Sequence, residues 1–415
     1  TVGTTSRGKS FRVPLPASGH PSQDAKDCLN VEFVTRPSPR IAFGPGMIER
    51  LAESVDELGS RRPMIVTDEG IRSAGHLDHV LSILNAADLE AKVFDEVREN
   101  PTNACMLACK AVAERHNIDL LIGLGGGSSM DTAKGCNFLL TNGGQMKDYH
   151  GYGKATEPFL PFLAIPTTSG TGSECQSYAL VSDDETHVKM ACGDAKALAK
   201  IALLDPNLTR SMPLRVAQLT GLDALAHALE TAVCISRNPV SNMNSMESFR
   251  LIASAIESVV DGSVNDDARA SMHLGAALAG LAIENSMLGA AHAMANPLTA
   301  RFDVTHGHAV ALMLPHVVRF NRVDLAVNEI YEKYQSLVPW NPGEERKMES
   351  WLERIFAKAG LLSLTDLGVK VSDVEGLSKA AEQQGTGRFN PRPVSNKDFE
   401  GIYQSALGYV GAGVS

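Results

Sequence analysis

The sequence predicts a parallel β-sheet wrapped by helices, followed by an all-helical domain, and three observations lead there. From about Val31 to Asp205, short apolar runs alternate with stretches of helical period, the pattern of strands joined by helical crossovers. After Asp205-Pro206 the period changes, and nearly everything from Met212 onward repeats with helical spacing, punctuated by Gly, Pro and Asn. A length of 415 residues also exceeds what one hydrophobic core usually organises. The expected division is a loose N-terminal tail over 1–30, an α/β domain over 31–205 and a helical domain over 206–415.

In chain order, VEFV (31–34), RIAFG (40–44), PMIVTD (63–68), AKVFDEV (91–97), DLLIGLGGG (119–127), FLAIPTT (162–168), YALVSD (178–183) and IALLDP (201–206) read as strands. Residues near 46–58, 77–87, 103–116 and 129–140 have the helical period between them. In the second half the run from Met272 to Asn285 is a long helical segment. No internal repeat or low-complexity segment interrupts the chain.

Composition is that of an ordinary globular protein, with 44% hydrophobic and 21% charged residues. No apolar run is long enough to span a bilayer. A formal net charge of -10 without a basic stripe argues against a nucleic-acid partner, leaving small-molecule chemistry. Seven cysteines (28, 105, 109, 136, 175, 192 and 234) lie scattered with no C-x-x-C pair, so they read as reduced thiols in a cytoplasmic protein. The first residues carry Arg, Lys and Ser and no acid before Asp24, but their prolines and the lack of an apolar core count against a transit or secretory peptide. A homo-oligomer, dimer or larger, is the expected assembly.

Candidate chemistry concentrates in GLDALAHALE (221–230) and AAHAMANPLTARFDVTHGH (290–308). Asp223 and His227 are four apart, one above the other on a helix. An Asp-x-x-x-His pair by itself is commonly a solvated face. Here the surroundings are Ala, Leu, Met and Gly, where ionisable groups are costly to bury unless paired or ligated. With His292 in a second apolar helix and His306 after a short break, one carboxylate and three imidazoles form a shell suited to Fe(II), Zn(II), Co(II) or Ni(II).

Two loops suit a nucleotide. Gly125, Gly126 and Gly127 end a buried strand, and Ser128 and Ser129 are placed to cap the next helix, so backbone N–H groups can approach a pyrophosphate. This is not the G-x-G-x-x-G fingerprint, and a plain tight turn is the alternative. IPTTSGTGSE (165–174) offers hydroxyls to phosphate, ribose or an amide, or simply caps a short helix. Asp68, closing PMIVTD, either accepts from ribose hydroxyls, favouring NAD over NADP, or caps the helix starting near Gly70. Lys189 in HVKMAC either pairs with ribose or phosphate or is a surface lysine.

Taken together, FGPG (43–46), VTDEG (66–70), ENPT (99–102), GGGSSMDTAK (125–134), PTTSGTGSE (166–174), LLDP (203–206), GLDALAHALE, AAHAMANP (290–297) and THGH (305–308) resemble the iron-containing, or group III, alcohol dehydrogenases over nearly the whole chain. The resemblance implies a Rossmann-like N-terminal domain, an all-α C-terminal domain, and NAD(P) beside a divalent metal, Fe(II) before Zn(II). It implies metal ligation by Asp223, His227, His292 and His306, the last two also catalytic, and cofactor contacts from Asp68, Gly125 to Ser128, Asp131, Thr167, Thr168, Thr171 and Lys189. The expected reaction is hydride transfer between an alcohol and an aldehyde or ketone. Within the family the alternatives are a hydroxyacid–oxoacid transhydrogenase or a polyol dehydrogenase. Outside it stand a metal-dependent lyase or hydrolase, given the related dehydroquinate synthase-like architecture, and a non-catalytic metal-binding protein.

One position departs from the family. Many relatives carry a proton-handling histidine where this chain has Asn296, which cannot titrate. His308, two residues beyond His306, is the leading substitute beside ribose hydroxyls and water, the alternative being a surface or core-satisfied histidine.

Overall fold

Nine strands are present in a computed structural model that describes residues 32–184 and 189–408. They are β1 (Arg40–Phe43), β2 (Pro63–Val66), β3 (Lys92–Phe94), β4 (Leu120–Gly125), β5 (Gly151–Tyr152), β6 (Phe162–Pro166), β7 (Tyr178–Ser182), β8 (Lys189–Gly193) and β9 (Ile201–Leu204). Six of them pair in parallel in the order β1-β9-β6-β4-β2-β3. Every residue of β2, β4, β6 and β9 is buried. Strands covered on both faces need continuous apolar runs, which is why these four stand out in the sequence.

The connecting helices are α1 (Leu51–Glu57), α2 (Glu69–Ser73), α3 (His76–Ala86), α4 (Asn103–Arg115) and α5 (Gly127–Asn142). Two apolar clusters fill the two faces of the sheet. One contains Leu51, Val80, Leu84, Ile122 and Ile165, the other Met64, Cys109, Leu121, Met130 and Phe162.

Three details differ from the sequence reading. Residues 32–34 of VEFV form no strand, and their side chains are exposed; Val31 and the expected tail, with Cys28, lie outside the described residues. YALVSD does form β7, but outside the parallel sheet. It pairs antiparallel with β8, which pairs in parallel with β5 to make a second, three-stranded sheet. The reason is visible in its burial, since Leu180 is exposed between buried Ala179 and Val181, a one-sided strand rather than a sandwiched one. Finally, neither serine caps α5, whose N-cap is Gly126.

Beyond Pro206 the described residues are helical: α6 (Leu214–Val233), α7 (Pro239–Val260), α8 (Asp266–Glu284), α9 (Ala290–Phe302), α10 (His306–Asn321), α11 (Leu325–Gln335), α12 (Met348–Lys358), α13 (Val374–Glu382) and α14 (Asn396–Leu407). Asn238 caps α7 ahead of Pro239, and Asn265 caps α8, each accepting N–H groups its helix cannot satisfy itself. α6 is buried on nearly every side from Gly221 to Val233, so whatever polar side chains it carries are driven into the interior. α10 begins directly against it. A Cβ on Gly307 would lie 2.1 Å from the Leu219 carbonyl oxygen, so only glycine lets the start of α10 come this close. No helix among the described residues is long and apolar enough to cross a membrane.

Candidate metal centre and nucleotide loops

Asp223 and His227 occupy successive turns of α6, His292 the first turn of α9 and His306 the first residue of α10. Their side chains converge. Nε2 of His227 and Nε2 of His292 each lie 3.4 Å from Asp223 Oδ1, and Nε2 of His306 lies 3.9 Å from it. Asp223, His227 and His292 are buried, while His306 is half-buried at the edge. The rings of His227 and His292 stack with centroids 4.9 Å apart.

This cluster fits a divalent ion. Asp223 Oδ1 and His292 Nε2 are buried and have no hydrogen-bond partner among the described residues, a costly state for polar atoms aimed at each other's neighbourhood. Bonds of about 2.0–2.1 Å in a tetrahedron place ligand atoms about 3.4 Å apart, the spacing seen from Asp223 to two of the imidazoles. The donor set of one carboxylate and three imidazoles, with no thiolate, suits Fe(II) or Zn(II).

Electrostatics point the same way. Burial alone would raise the Asp223 carboxyl, yet His227, His292 and His306 hold it well below the usual carboxylate range. Burial lowers His227 against the pull of Asp223. His292 resists burial because Glu230 and Asp223 raise it to about 9. Two interior carboxylates demand positive charge between them, from imidazolium or from a cation.

Glu230 is the member that the sequence reading missed. It is buried one turn past His227, and its Oε2 accepts a short hydrogen bond from His292 Nδ1 while Oε1 accepts from the Ala291 N–H at 2.7 Å. The signal was present in GLDALAHALE. Seven residues separate Asp223 from Glu230, two helical turns, so both lie on one face with His227 between them.

The three loops at the carboxyl ends of β2, β4 and β6 are neighbours, because those strands are adjacent in the sheet. Asp68 is the cap of α2, with its second oxygen turned to the glycine turn. Oδ1 caps α2 by accepting from Ile71 N–H at 3.1 Å, while Oδ2 accepts from the Ser129 hydroxyl at 3.4 Å, beside the glycine turn. The turn is kept bare. A Cβ on Gly125 would lie 2.4 Å from Ser129 Oγ, on Gly126 3.2 Å from Thr168 Cγ2 and on Gly127 2.9 Å from Thr171 Cγ2. With Gly126 as N-cap and Ser128 in the first turn, α5 presents its start without a side-chain cap. Uncovered backbone at a helix N-terminus, walled by threonines, fits a pyrophosphate.

Thr168 and Thr171 thus touch the turn directly. Thr167 is buried, continues the sheet through its N–H to the Gly125 carbonyl at 2.9 Å, and has a hydroxyl with no partner among the described residues. Asp131 is engaged inward, where it accepts from Ser173 Oγ at 3.0 Å, and burial pushes it up to about 6 against Lys134 and Ser173. Lys189 is no surface lysine. It is half-buried at the start of β8, and burial lowers its ammonium pKa, opposed by Asp131, Asp223 and Glu99.

The 165–174 loop joins the two regions. Its Gly170 packs on α6, where a Cβ would lie 2.5 Å from Thr220 Cβ, its Ser169 hydroxyl bonds Nδ1 of buried His273 on α8 at 3.2 Å, and Thr168 and Thr171 flank the glycine turn. Two further positions are engaged with other partners. His308 turns away, its Nε2 against the Leu362 carbonyl at 2.9 Å. Two residues on in a helix is about 200° around its axis, so His306 and His308 cannot share a face. Asn296, one turn beyond His292, donates to Gln384 Oε1 at 3.0 Å.

Comparison with known proteins identifies the family. The chain matches the iron-containing alcohol dehydrogenase family over residues 38–206, and the C-terminal part of the Fe-containing alcohol dehydrogenase family over 217–407. It is 32% identical over 370 residues to alcohol dehydrogenase 4 of Schizosaccharomyces pombe, covering 88% of this chain and 87% of that one. It is 30% identical over 377 residues to an NAD-dependent methanol dehydrogenase of Bacillus methanolicus, covering 89% and 98%. A solved structure of a 1,3-propanediol oxidoreductase superposes with a TM-score of 0.85 at 33% identity, covering 90% of this chain and 100% of that one. The chain therefore belongs to the iron-containing alcohol dehydrogenase family, whose enzymes are oxidoreductases acting on CH–OH groups.

Proposed function

We propose that this chain is an NAD-dependent, metal-dependent dehydrogenase that interconverts a small alcohol and its aldehyde or ketone by hydride transfer. The observation that carries the reading is the convergence of three imidazoles on Asp223, with one loop packed through Gly170 against α6 and through Thr168 and Thr171 against the glycine turn. In this reading Asp223, His227, His292 and His306 hold Fe(II), or Zn(II) in its place, which supplies Lewis acidity toward the substrate oxygen, and NAD supplies the hydride acceptor.

The chain's own residues do the rest. Gly125 to Gly127 and the start of α5 bind the pyrophosphate through backbone N–H groups, and the hydroxyls of Ser128, Thr167, Thr168 and Thr171 are available to orient the dinucleotide. Asp131 steadies that loop from below through Ser173, and Lys189 supplies positive charge between the nucleotide loops and the cluster. Asp68 stands where an adenosine ribose would meet the β2 end, so its negative charge disfavours a 2′-phosphate and selects NAD over NADP. The apolar walls of α6 and α9 keep water from the cluster. Asn296 cannot take a proton and His308 is turned away, so the alcohol proton leaves by water or a ribose hydroxyl.

The six described cysteines are free thiols, which supports a reducing compartment such as the cytoplasm. The helical half from residue 206 is read as the metal-binding domain and residues 31–205 as the nucleotide-binding domain. The deciding experiment is NADH formation over a panel of short alcohols, diols and hydroxyacids, with metal content measured on the same sample. Turnover that needs both NAD and bound metal supports the reading, whereas metal-dependent hydrolysis without NADH would replace it with the lyase or hydrolase alternative.

A further inference from the structure

We infer that Glu230 is a positioning residue for the metal centre, fixing the tautomer and the orientation of His292 from a helix that His292 does not belong to. The inference rests on the reading of the cluster as a metal site and names the residue that tunes it. Glu230 is on α6, and His292 is the third residue of α9. α9 starts at a glycine N-cap with no side-chain cap of its own, so its first N–H groups need an acceptor from elsewhere. Glu230 supplies it. Oε1 accepts the Ala291 N–H at 2.7 Å, which locks the carboxylate in place at the positive end of the helix. The other oxygen, held by that lock, accepts from His292 Nδ1.

The consequence falls on the opposite ring nitrogen. With Nδ1 engaged by a buried carboxylate, Nε2 is the nitrogen left to ligate a cation, and it is the atom that lies 3.4 Å from Asp223 Oδ1. The carboxylate also leaves the ring more electron-rich, a better donor to a cation. Packing leaves Glu230 little freedom to move, since a Cβ on Gly289 would already lie 3.0 Å from its Oε1. A purely structural capping role would use one oxygen. Here both are committed, one to the helix and one to the ligand.

The test uses Co(II) as the probe on metal-stripped full-length protein, with affinity measured by chelator competition and the visible absorption of the Co(II) centre recorded for wild type, Glu230→Gln and Glu230→Ala. A glutamine cannot accept from both Ala291 N–H and His292 Nδ1–H, because one of its two ends is a donor. The expected result is Co(II) binding weakened by about 10- to 100-fold in both variants, with a displaced Co(II) spectrum. Thermal unfolding of the metal-free forms separates this from a capping defect, which would lower stability and leave affinity and spectrum alone. If Glu230→Ala does not fold, Glu230→Gln decides. Wild-type affinity and an unchanged spectrum in the folded variants would overturn the inference while leaving the metal site standing. Failure of wild type to bind Co(II) at all would overturn both.

Discussion

The cluster between α6, α9 and α10 and the loops at the ends of β2, β4 and β6 sit within one chain but are built on opposite principles. In the helices the side chains are the site, buried in an Ala- and Leu-rich core that would reject them unless they found partners. In the loops the backbone is the site. Side chains there either stay away, as at Gly126 and Gly127, or double as structural caps, as Asp68 does on α2. The lesson is that the same substitution has different meanings in the two places. Removing a side chain empties the first region, whereas adding one blocks the second.

The largest effect is expected where side chains are the site. His292→Ala or His306→Ala should lose the bound metal and lower turnover roughly a thousandfold or more, because several kcal/mol of charge stabilisation depend on a complete shell. Far-UV circular dichroism should show the fold intact. Full metal content and normal rate in either variant would remove the cluster from the mechanism.

Next comes the addition of a side chain to the bare turn. Gly127→Val places its Cβ within 2.9 Å of Thr171 Cγ2 before any branch is counted. The expected outcome is a KM for NAD raised by roughly 10- to 100-fold, about 1.4–2.8 kcal/mol of lost binding, with metal content unchanged. Equilibrium dialysis and elemental analysis read the two quantities separately. A variant that lost metal and kept its NAD affinity would reverse the contrast between the regions.

The contrast also explains what could be read from the sequence. Asp223, His227 and His292 were legible because a titratable group in an apolar helical run is anomalous wherever it occurs. Glu230 has the same anomaly and the same helix face, but it lies outside the Asp-x-x-x-His spacing that marks a ligand pair. The main sheet was legible because β2, β4, β6 and β9 are apolar throughout, while two-residue β5 and the mixed HVKMAC segment around β8 carry no such signal. β7 was found as a strand but given the wrong sheet, since partner choice depends on which face is covered. The direction of His308 was not legible for a local reason. The break before His306 hides where the next helix starts, but His306 opens α10 and the helical twist sends His308 to Leu362.

A subtler test separates the cap that Asp68 makes from the role proposed for it at the ribose. Asn is as good an N-cap as Asp, so Asp68→Asn should keep α2 and its bond from Ile71 N–H while removing the charge. The preference for NAD over NADP, taken as the ratio of kcat/KM values, should narrow by roughly 10-fold, with a melting temperature close to wild type. Equal efficiency of the wild-type enzyme on both cofactors would sink the assignment of Asp68 to the ribose.

The smallest effect is expected at His308 and Asn296, the two positions weighed for the proton path. His308 spends its ring on the Leu362 carbonyl, and burial lowers its pKa, so it stands neutral and structural on the far side of α10. His308→Ala should therefore cost stability, about 1–2 kcal/mol for a lost buried hydrogen bond and its packing, and change kcat less than about twofold. Asn296→His is the complementary change. It places an imidazole one turn beyond His292, in a half-buried site where Asn296 now meets Gln384, and should be tolerated while adding an ionisation to the pH profile of alcohol oxidation. The measurement is kcat against pH for wild type and both variants. A new inflection in Asn296→His alone would mean that position 296 lies on the proton path and that wild type uses water or ribose in its place. A profile moved by His308→Ala instead would show that the proton crosses α10, against the direction in which its ring points.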